Sequence, residues 1–249
     1  MDALSISAAS GIQARMESLE LLANNIANQA TAGYKTDREF YSLYVAPEAV
    51  AGAGANPALT ATLPVIERQW TDFSQGTLTP TGNPLDLALA GRGFFVVRGP
   101  AGPLYTRNGS FRLSPAGRLE TEQGYPVLDQ SQRPIQLDPA LPVEVTADGS
   151  LLQQGEMVGQ LAVVEFARPE FLSKQAGTYF RVAKKGIQPA AARKAEVRQG
   201  ALESANFTPA EAAVRLVSVM RQFEMLERAV RLGAEMNRRA IEEVARVGT

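Results

Sequence analysis

With no His and no Cys among 249 residues, the chemistry open to this chain reduces to carboxylate pairs, an activated lysine, or a hard cation held by oxygen ligands. A Ser–His–Asp triad, a Cys–His dyad, a His-ligated metal and a thiolate zinc site are excluded by composition. The carboxylates nearest the aromatic stretches are Asp72, Asp86, Glu120 and Glu122. Glu120 and Glu122 share a strand face by parity, close enough to couple. Acid–base work also needs a cleft and a shifted pKa; nothing in the pattern supplies either, so a solvated strand face is expected. Asp148-Gly149 lacks the repeating Asp/Asn spacing of a calcium loop and reads as a turn. Gly91-Arg92-Gly93 has no third glycine and leads into a strand rather than a helix, which defeats the anion-cradling geometry. Asn108-Gly109-Ser110 and Asn206-Phe207-Thr208 match the glycosylation pattern only by accident of a turn and a helix cap. Lys184-Lys185 and Arg238-Arg239 read as solvated pairs, and Trp70, the single tryptophan, as core or a domain junction. No catalytic, cofactor-binding or metal-ligating residue is expected, so the chain reads as a non-enzyme.

Lys and Arg total 25 against 26 Asp and Glu, a net charge of −1. No basic excess is available to hold a phosphate backbone, and nucleic acid is not an expected partner. Aromatic content of 7% gives no stacking surface for a small-molecule substrate. No apolar run approaches the roughly 20 residues of a membrane-spanning helix, so direct membrane insertion is not expected. Met1-Asp2-Ala3-Leu4-Ser5 has neither the charged nor the apolar part of a cleavable signal peptide. Lack of thiols removes disulfides, and it would ease threading of an unfolded chain through a narrow channel.

Any function must then come from how the elements are arranged. Residues 1–33 read as an N-terminal helix. Apolar positions fall at Leu4, Ala8, Ile12, Met16, Leu19, Ala23 and Ile26, on one helical face, and Gly33 is a plausible left-handed stop. Residues 34–64 read as an extended linker with Tyr34, Phe40, Tyr41, Leu43 and Tyr44, and an Ala/Gly-rich loop from Pro47 to Pro57. Residues 65–203 carry a β signal. Phe94-Phe95-Val96-Val97 is a buried-strand run turning at Gly99-Pro100-Ala101-Gly102. Ser114-Pro115-Ala116-Gly117 and Ala147-Asp148-Gly149 read as hairpin turns, and Val158 to Phe166 as one longer strand. Residues 204–249 return to helix behind the capping box Thr208-Pro209-Ala210-Glu211. Leu216, Val219, Phe223, Leu226 and Val230 then alternate by three and four, as in a heptad seam.

The expected fold is α+β: N- and C-terminal helices pairing as a coiled-coil-like domain, with an inserted, mainly antiparallel all-β domain. An amphipathic helix lying on a core shows similar spacing. Seams at both ends of a chain whose middle is self-sufficient favour pairing of the ends, then packing against neighbours. Ile12, Met16, Leu19, Ile26, Leu216, Val219, Phe223, Leu226 and Val230 are the expected interface residues.

The stretch Leu22-Ala23-Asn24-Asn25-Ile26-Ala27-Asn28-Gln29-Ala30-Thr31-Ala32-Gly33-Tyr34-Lys35 resembles the Asn-Asn-x-Ala-Asn-x-x-Thr-x-Gly-aromatic signature of the bacterial flagellar rod and hook family. Leu85 to Val97, Tyr105-Thr106-Arg107-Asn108-Gly109-Ser110-Phe111, and Leu202 to Ala212 continue the resemblance over nearly the whole chain, with residues 36–64 its weakest part. Asn24, Asn25 and Asn28 are poor helix formers, and amides bonding across subunit contacts would explain them. Arg221-Gln222-Phe223-Glu224-Met225 looks more like the proximal-rod branch than the distal-rod branch. The resemblance implies a structural subunit of the basal-body rod that self-assembles, with other rod proteins, in a helical array. It also implies export by the flagellar type III apparatus to a periplasmic rod that transmits motor torque. Two readings from other classes stay open: a secreted trimeric coiled-coil fibre or adhesin, and a carboxylate hydrolase.

Overall fold

A computed structural model describes residues 3–45, 62–183 and 186–247. The chain forms two compact units: Met1–Ile26, Asp37–Trp70 and Pro209–Thr249 in the first, Ala27–Thr36 and Thr71–Thr208 in the second. The expected loop from Pro47 to Pro57 and the pair Lys184-Lys185 lie outside the described residues.

The first unit holds two helices, α1 (Ala3–Ala27) and α2 (Pro209–Val247), and the paired strands β1 (Asp37–Val45) and β2 (Thr62–Thr71). At 1.5 Å rise, the 39 residues of α2 span roughly 58 Å. Three i,i+4 pairs, Arg231–Glu227, Arg239–Glu235 and Arg238–Glu242, run along its distal half; each adds a few tenths of a kcal/mol at such exposed positions. Two expectations are corrected. α1 stops at Ala27, well before Gly33, because Asn28 turns the chain: its carbonyl accepts the Thr31 amide at 3.0 Å and its side-chain oxygen the Thr31 hydroxyl at 3.4 Å. And the stretch 34–64 is no simple linker, since it contains β1 and the start of β2.

The second unit is β-rich. Its strands are β3 (Leu78–Pro80), β4 (Leu87–Ala90), β5 (Phe94–Gly99), β6 (Gly102–Thr106), β7 (Phe111–Leu113), β8 (Leu119–Thr121), β9 (Glu144–Val145), β10 (Ser150–Gln153), β11 (Glu156–Gln160), β12 (Val163–Glu165), β13 (Leu172–Lys174), β14 (Tyr179–Val182), β15 (Ala190–Ala191), β16 (Glu196–Gln199) and β17 (Ala201–Glu203). Its main sheet has the order β13-β14-β6-β5-β12-β15, and smaller pairings β16-β4, β17-β3, β7-β8 and β11-β10-β9 surround it. All registered pairs are antiparallel. Strand β5 explains the apolar run Phe94 to Val97. Phe95 and Val97 enter one core cluster with Leu87, Leu89, Phe111 and Leu119, while Phe94 and Val96 enter a second with Tyr105, Leu128, Phe166 and Phe180. Alternate side chains point to opposite faces, and both faces are covered, so the polar half of the usual alternation is missing.

The expected hairpins form. Gly117 (φ 76) and Gly149 (φ 83) hold left-handed conformations, and the Ser114 amide bonds the Arg118 carbonyl at 2.9 Å. The single strand expected from Val158 to Phe166 is instead two strands in different sheets, β11 and β12. Between them Leu161 and Ala162 turn their amides to Gly149 and Leu128, at 2.9 Å each. Trp70 is 44% exposed and is the last residue of the first unit before the chain passes to the second at Thr71, the junction rather than the core position.

Candidate functional site

Three stretches distant in sequence meet inside the second unit: residues 33–36, 72–77 and 203–206. The Gly33 amide donates to the Glu203 carbonyl at 2.6 Å, Asp72 N–H to the Thr36 carbonyl at 2.8 Å, and Ser204 N–H to the Thr77 carbonyl at 2.8 Å. Asn206 ties all three. Its Oδ1 accepts the Thr36 amide at 2.9 Å and also the Thr36 hydroxyl, while its Nδ2 donates to the Asp72 carbonyl at 2.7 Å. Two glycines permit the crossing. A Cβ on Gly33 (φ +67) would lie 2.3 Å from the Arg107 carbonyl carbon and Asn108 nitrogen, and one on Gly76 would lie 2.0 Å from the Ser204 oxygen.

At the centre sits a buried ionic cluster. The Lys35 and Glu203 side chains are both 0% exposed and joined at 2.6 Å; Arg107, 4% exposed, brings Nη1 to 3.2 Å from the other Glu203 oxygen, a charge contact without hydrogen-bond alignment. Lys35 Nζ also donates to the Ser74 carbonyl at 2.6 Å, the Gly76 amide to Glu203 at 2.9 Å, and Arg107 Nη2 to the Gly91 carbonyl at 2.6 Å. Burial lowers the pKa of Lys35 and of Arg107, and the Glu203 charge works against that in both. Lys174 caps the cluster from β13, bonding the Lys35 carbonyl at 2.7 Å and lying 4.2 Å from the buried Tyr34 ring. Sequence reasoning passed over Lys35, Arg107 and Glu203. Each lies inside one of the stretches that carried the family resemblance, but nothing local pairs residues so far apart.

In the first unit the two helices differ in how burial falls on the stripes read from apolarity. On α1 the buried positions are Gly11, Ala14, Ser18, Leu22 and Asn25, one step round from the stripe read by apolarity. Ile12, Leu19 and Ile26 are half-buried and Met16 is 53% exposed. Apart from Leu22, the buried face is made of small and polar residues, which a reading by apolarity does not single out. An added Cβ at Gly11 would lie 3.1 Å from the Leu226 methyl carbons of α2, so that glycine gives the leucine its space. Asn25, 1% exposed, donates to the Asp37 carbonyl at 2.9 Å and accepts the Asp37 amide at 3.1 Å. Its amide thus fixes the start of β1. Asn24 is exposed and Asn28 half-buried in the turn after α1.

On α2, Val219 is 5% exposed and Leu216, Phe223, Leu226 and Val230 are half-buried. The heptad seam is therefore the better-covered face. Most exposed apolar side chains lie elsewhere: Val214 at 73%, Val217 at 49%, Met225 at 61%, Leu232 at 60% and Met236 at 70%, centred roughly 160° around the helix from the seam at 3.6 residues per turn, while Met220 at 51% lies between the two faces. Arg221 and Arg228 interrupt this second stripe and hid it from a reading by spacing. At the start of α2, Glu211 lies 3.7 Å from Arg38, and Arg215 pairs with Glu39.

The carboxylates do not gather. Glu120 pairs with Arg112 at 3.0 Å, Glu122 lies 3.5 Å from the Ser110 hydroxyl, and Asp86 accepts the Asn83 amide at 3.1 Å. Among the described residues no group of three or more Asp or Glu could hold a metal ion, and no helix is long and apolar enough to cross a membrane.

One unit carries two long helices, and the other is a β body stapled by buried polar contacts. Residues 88–158 match the family described as the flagellar hook protein FlgE/F/G D1 domain, and residues 198–243 the flagellar basal body rod FlgEFG protein C-terminal family. The chain is 34% identical over 234 residues to the flagellar basal-body rod protein FlgF of Caulobacter vibrioides, covering 92% of each chain. It is 32% identical over 232 residues to FlgF of Mesorhizobium japonicum, covering 90% of each. To the flagellar basal-body rod protein FlgG of Agrobacterium fabrum it is 30% identical over 260 residues, covering 95% of this chain and 97% of that one. This chain belongs to the flagellar basal-body rod protein family and is most like its FlgF members.

Proposed function

We propose that the chain is a subunit of the proximal rod, built into a helical array with copies of itself and other rod proteins and passing motor torque along the axis. Delivery by the type III export apparatus to a periplasmic rod belongs to the same reading. Its main support is the exposed apolar stripe of α2: Val214, Val217, Met225, Leu232 and Met236 form a run of surface that an isolated chain leaves in water. Head-to-tail packing over such a stripe extends into a filament when the rotation does not close. The 34% and 32% identities to two FlgF relatives, against 30% to FlgG of Agrobacterium fabrum, favour the proximal over the distal position.

In this reading α1 and α2 pair as a coiled-coil-like axial domain, with Gly11 against Leu226. Gly11→Leu should separate them and lower stability by about 1–3 kcal/mol through overpacking, read as a lower midpoint in thermal unfolding followed by helical circular dichroism. An unchanged midpoint would remove that pairing.

The experiment that tests the assembly is the double variant Val217→Glu/Met225→Glu. The purified chain should keep its helix content, while cells carrying it should lack assembled rods and be non-motile. Normal motility would refute the stripe's role. Complementation tests the position: the chain should restore motility to cells lacking their proximal-rod protein and not to cells lacking the distal one. Sedimentation of the purified chain as a stable trimer would favour the fibre reading instead.

A further inference from the structure

The second unit contains more than a packed sheet. Residues 33–36 and 203–206 are far apart in the chain, yet they share bonds from Gly33 to Glu203, Lys35 to Glu203, and Thr36 to Asn206. The 72–77 stretch is bonded to both, through Asp72, Ser74 and Gly76. Neither end has a full set of partners without the other: the Glu203 carboxylate would lose the Lys35 ammonium and keep the Gly76 amide and the Arg107 charge, and the Asn206 amide would lose the Thr36 amide and hydroxyl.

We propose that these three stretches form a charged latch, one cooperative opening unit that releases both chain ends from the β body together and closes on both together. Its logic follows from satisfaction of buried polar groups. A half-open latch strands a buried charge or amide, which costs more than opening the rest. Partly open forms are therefore scarce, and the stretches exchange between all-closed and all-open. The buried members of the apolar clusters around Phe95 and Phe180 lie outside the latch, and Phe73, partly buried with its ring centroid 5.1 Å from that of Phe180, is the latch side chain that packs on them, so opening the latch uncovers one edge of the second cluster and leaves the strand pairing of the sheet in place. Local openings of this kind are the usual content of sub-global unfolding.

Native-state hydrogen exchange on the full chain tests it. Amides of Gly33, Thr36, Asp72, Gly76, Ser204 and Asn206 should share one opening rate ratio, distinct from those of Val96, Leu128 and Leu161 in the core. Lys35→Met perturbs one end and Asn206→Ala the other. Methionine spans the lysine stem and leaves Arg107 with Glu203 as a balanced pair, so the variant keeps its fold. Either substitution should speed exchange at all six latch amides by the same factor, at least about tenfold for the loss of charge-assisted or buried amide bonds, and leave the core amides unchanged. Acceleration confined to the mutated stretch would overturn the proposal. So would equal acceleration of latch and core, which would mean that only global unfolding connects the ends.

Discussion

Replacing Glu203 by glutamine in the full chain should cost about 3–5 kcal/mol, the usual effect of removing one partner from a buried ionic cluster. Lys35 and Arg107 are 0% and 4% exposed, so neither cation can turn to water when the carboxylate is neutralised. Glutamine retains the shape and an acceptor for the Gly76 amide, which assigns the loss to charge. Urea unfolding, followed by aromatic fluorescence and by circular dichroism, gives the number. The cost is a large share of the 5–15 kcal/mol that stabilises a typical domain. Adding Lys35→Met to Glu203→Gln should recover part of it, because one stranded cation is removed, so the two effects should fall short of additive by about 1 kcal/mol or more. A Glu203→Gln variant within about 1 kcal/mol of the parent would show that the cluster contributes little.

The second large effect is expected at Gly33. Its φ of +67° already disfavours any other residue by about 1–2 kcal/mol. The crossing is the greater obstacle: an alanine Cβ would stand 2.3 Å from backbone atoms of Arg107 and Asn108, in a bend held by the Asn108 amide's bond to the Thr106 hydroxyl and the Leu87 amide's bond to the Gly109 carbonyl, at 3.0 Å each. Gly33→Ala should therefore destabilise by more than about 4 kcal/mol or detach residues 27–36 from the sheet. Gly124 provides the control. It too has positive φ, +80°, but nothing within 4 Å of an added Cβ, so Gly124→Ala should show the conformational cost alone. Equal losses at the two positions, in matched urea titrations, would refute the close-crossing explanation.

Periodicity placed both helices and most hairpins because those signals are local. Short apolar runs punctuated by Gly and Pro told strands from helices, and Gly117 and Gly149 marked turns that only glycine fills easily. Faces were harder to read. α1 buries Gly11, Ala14 and Ser18, small residues that no hydrophobic scale singles out, and α2 conceals its exposed stripe behind Arg221 and Arg228. The Asn25 motif was visible, but its partner, the backbone of Asp37, could not be read from side-chain types. Least legible was the ionic cluster. Lys35, Arg107 and Glu203 look like ordinary surface charges until the sheet brings them together, and a long strand from Val158 to Phe166 gave no hint that it would break at Leu161.

The Lys35–Glu203 bond joins residues 168 positions apart, which bears on the order in which the molecule acquires its form. Closing so long a loop carries an entropic penalty that is recovered only after intervening hairpins have shortened the effective path. Residues 27–36, although early in the chain, must wait for Glu203 before they can dock. Folding of the β body should thus show a late phase in which its first and last segments become protected at the same moment, whatever the speed of the hairpins before it.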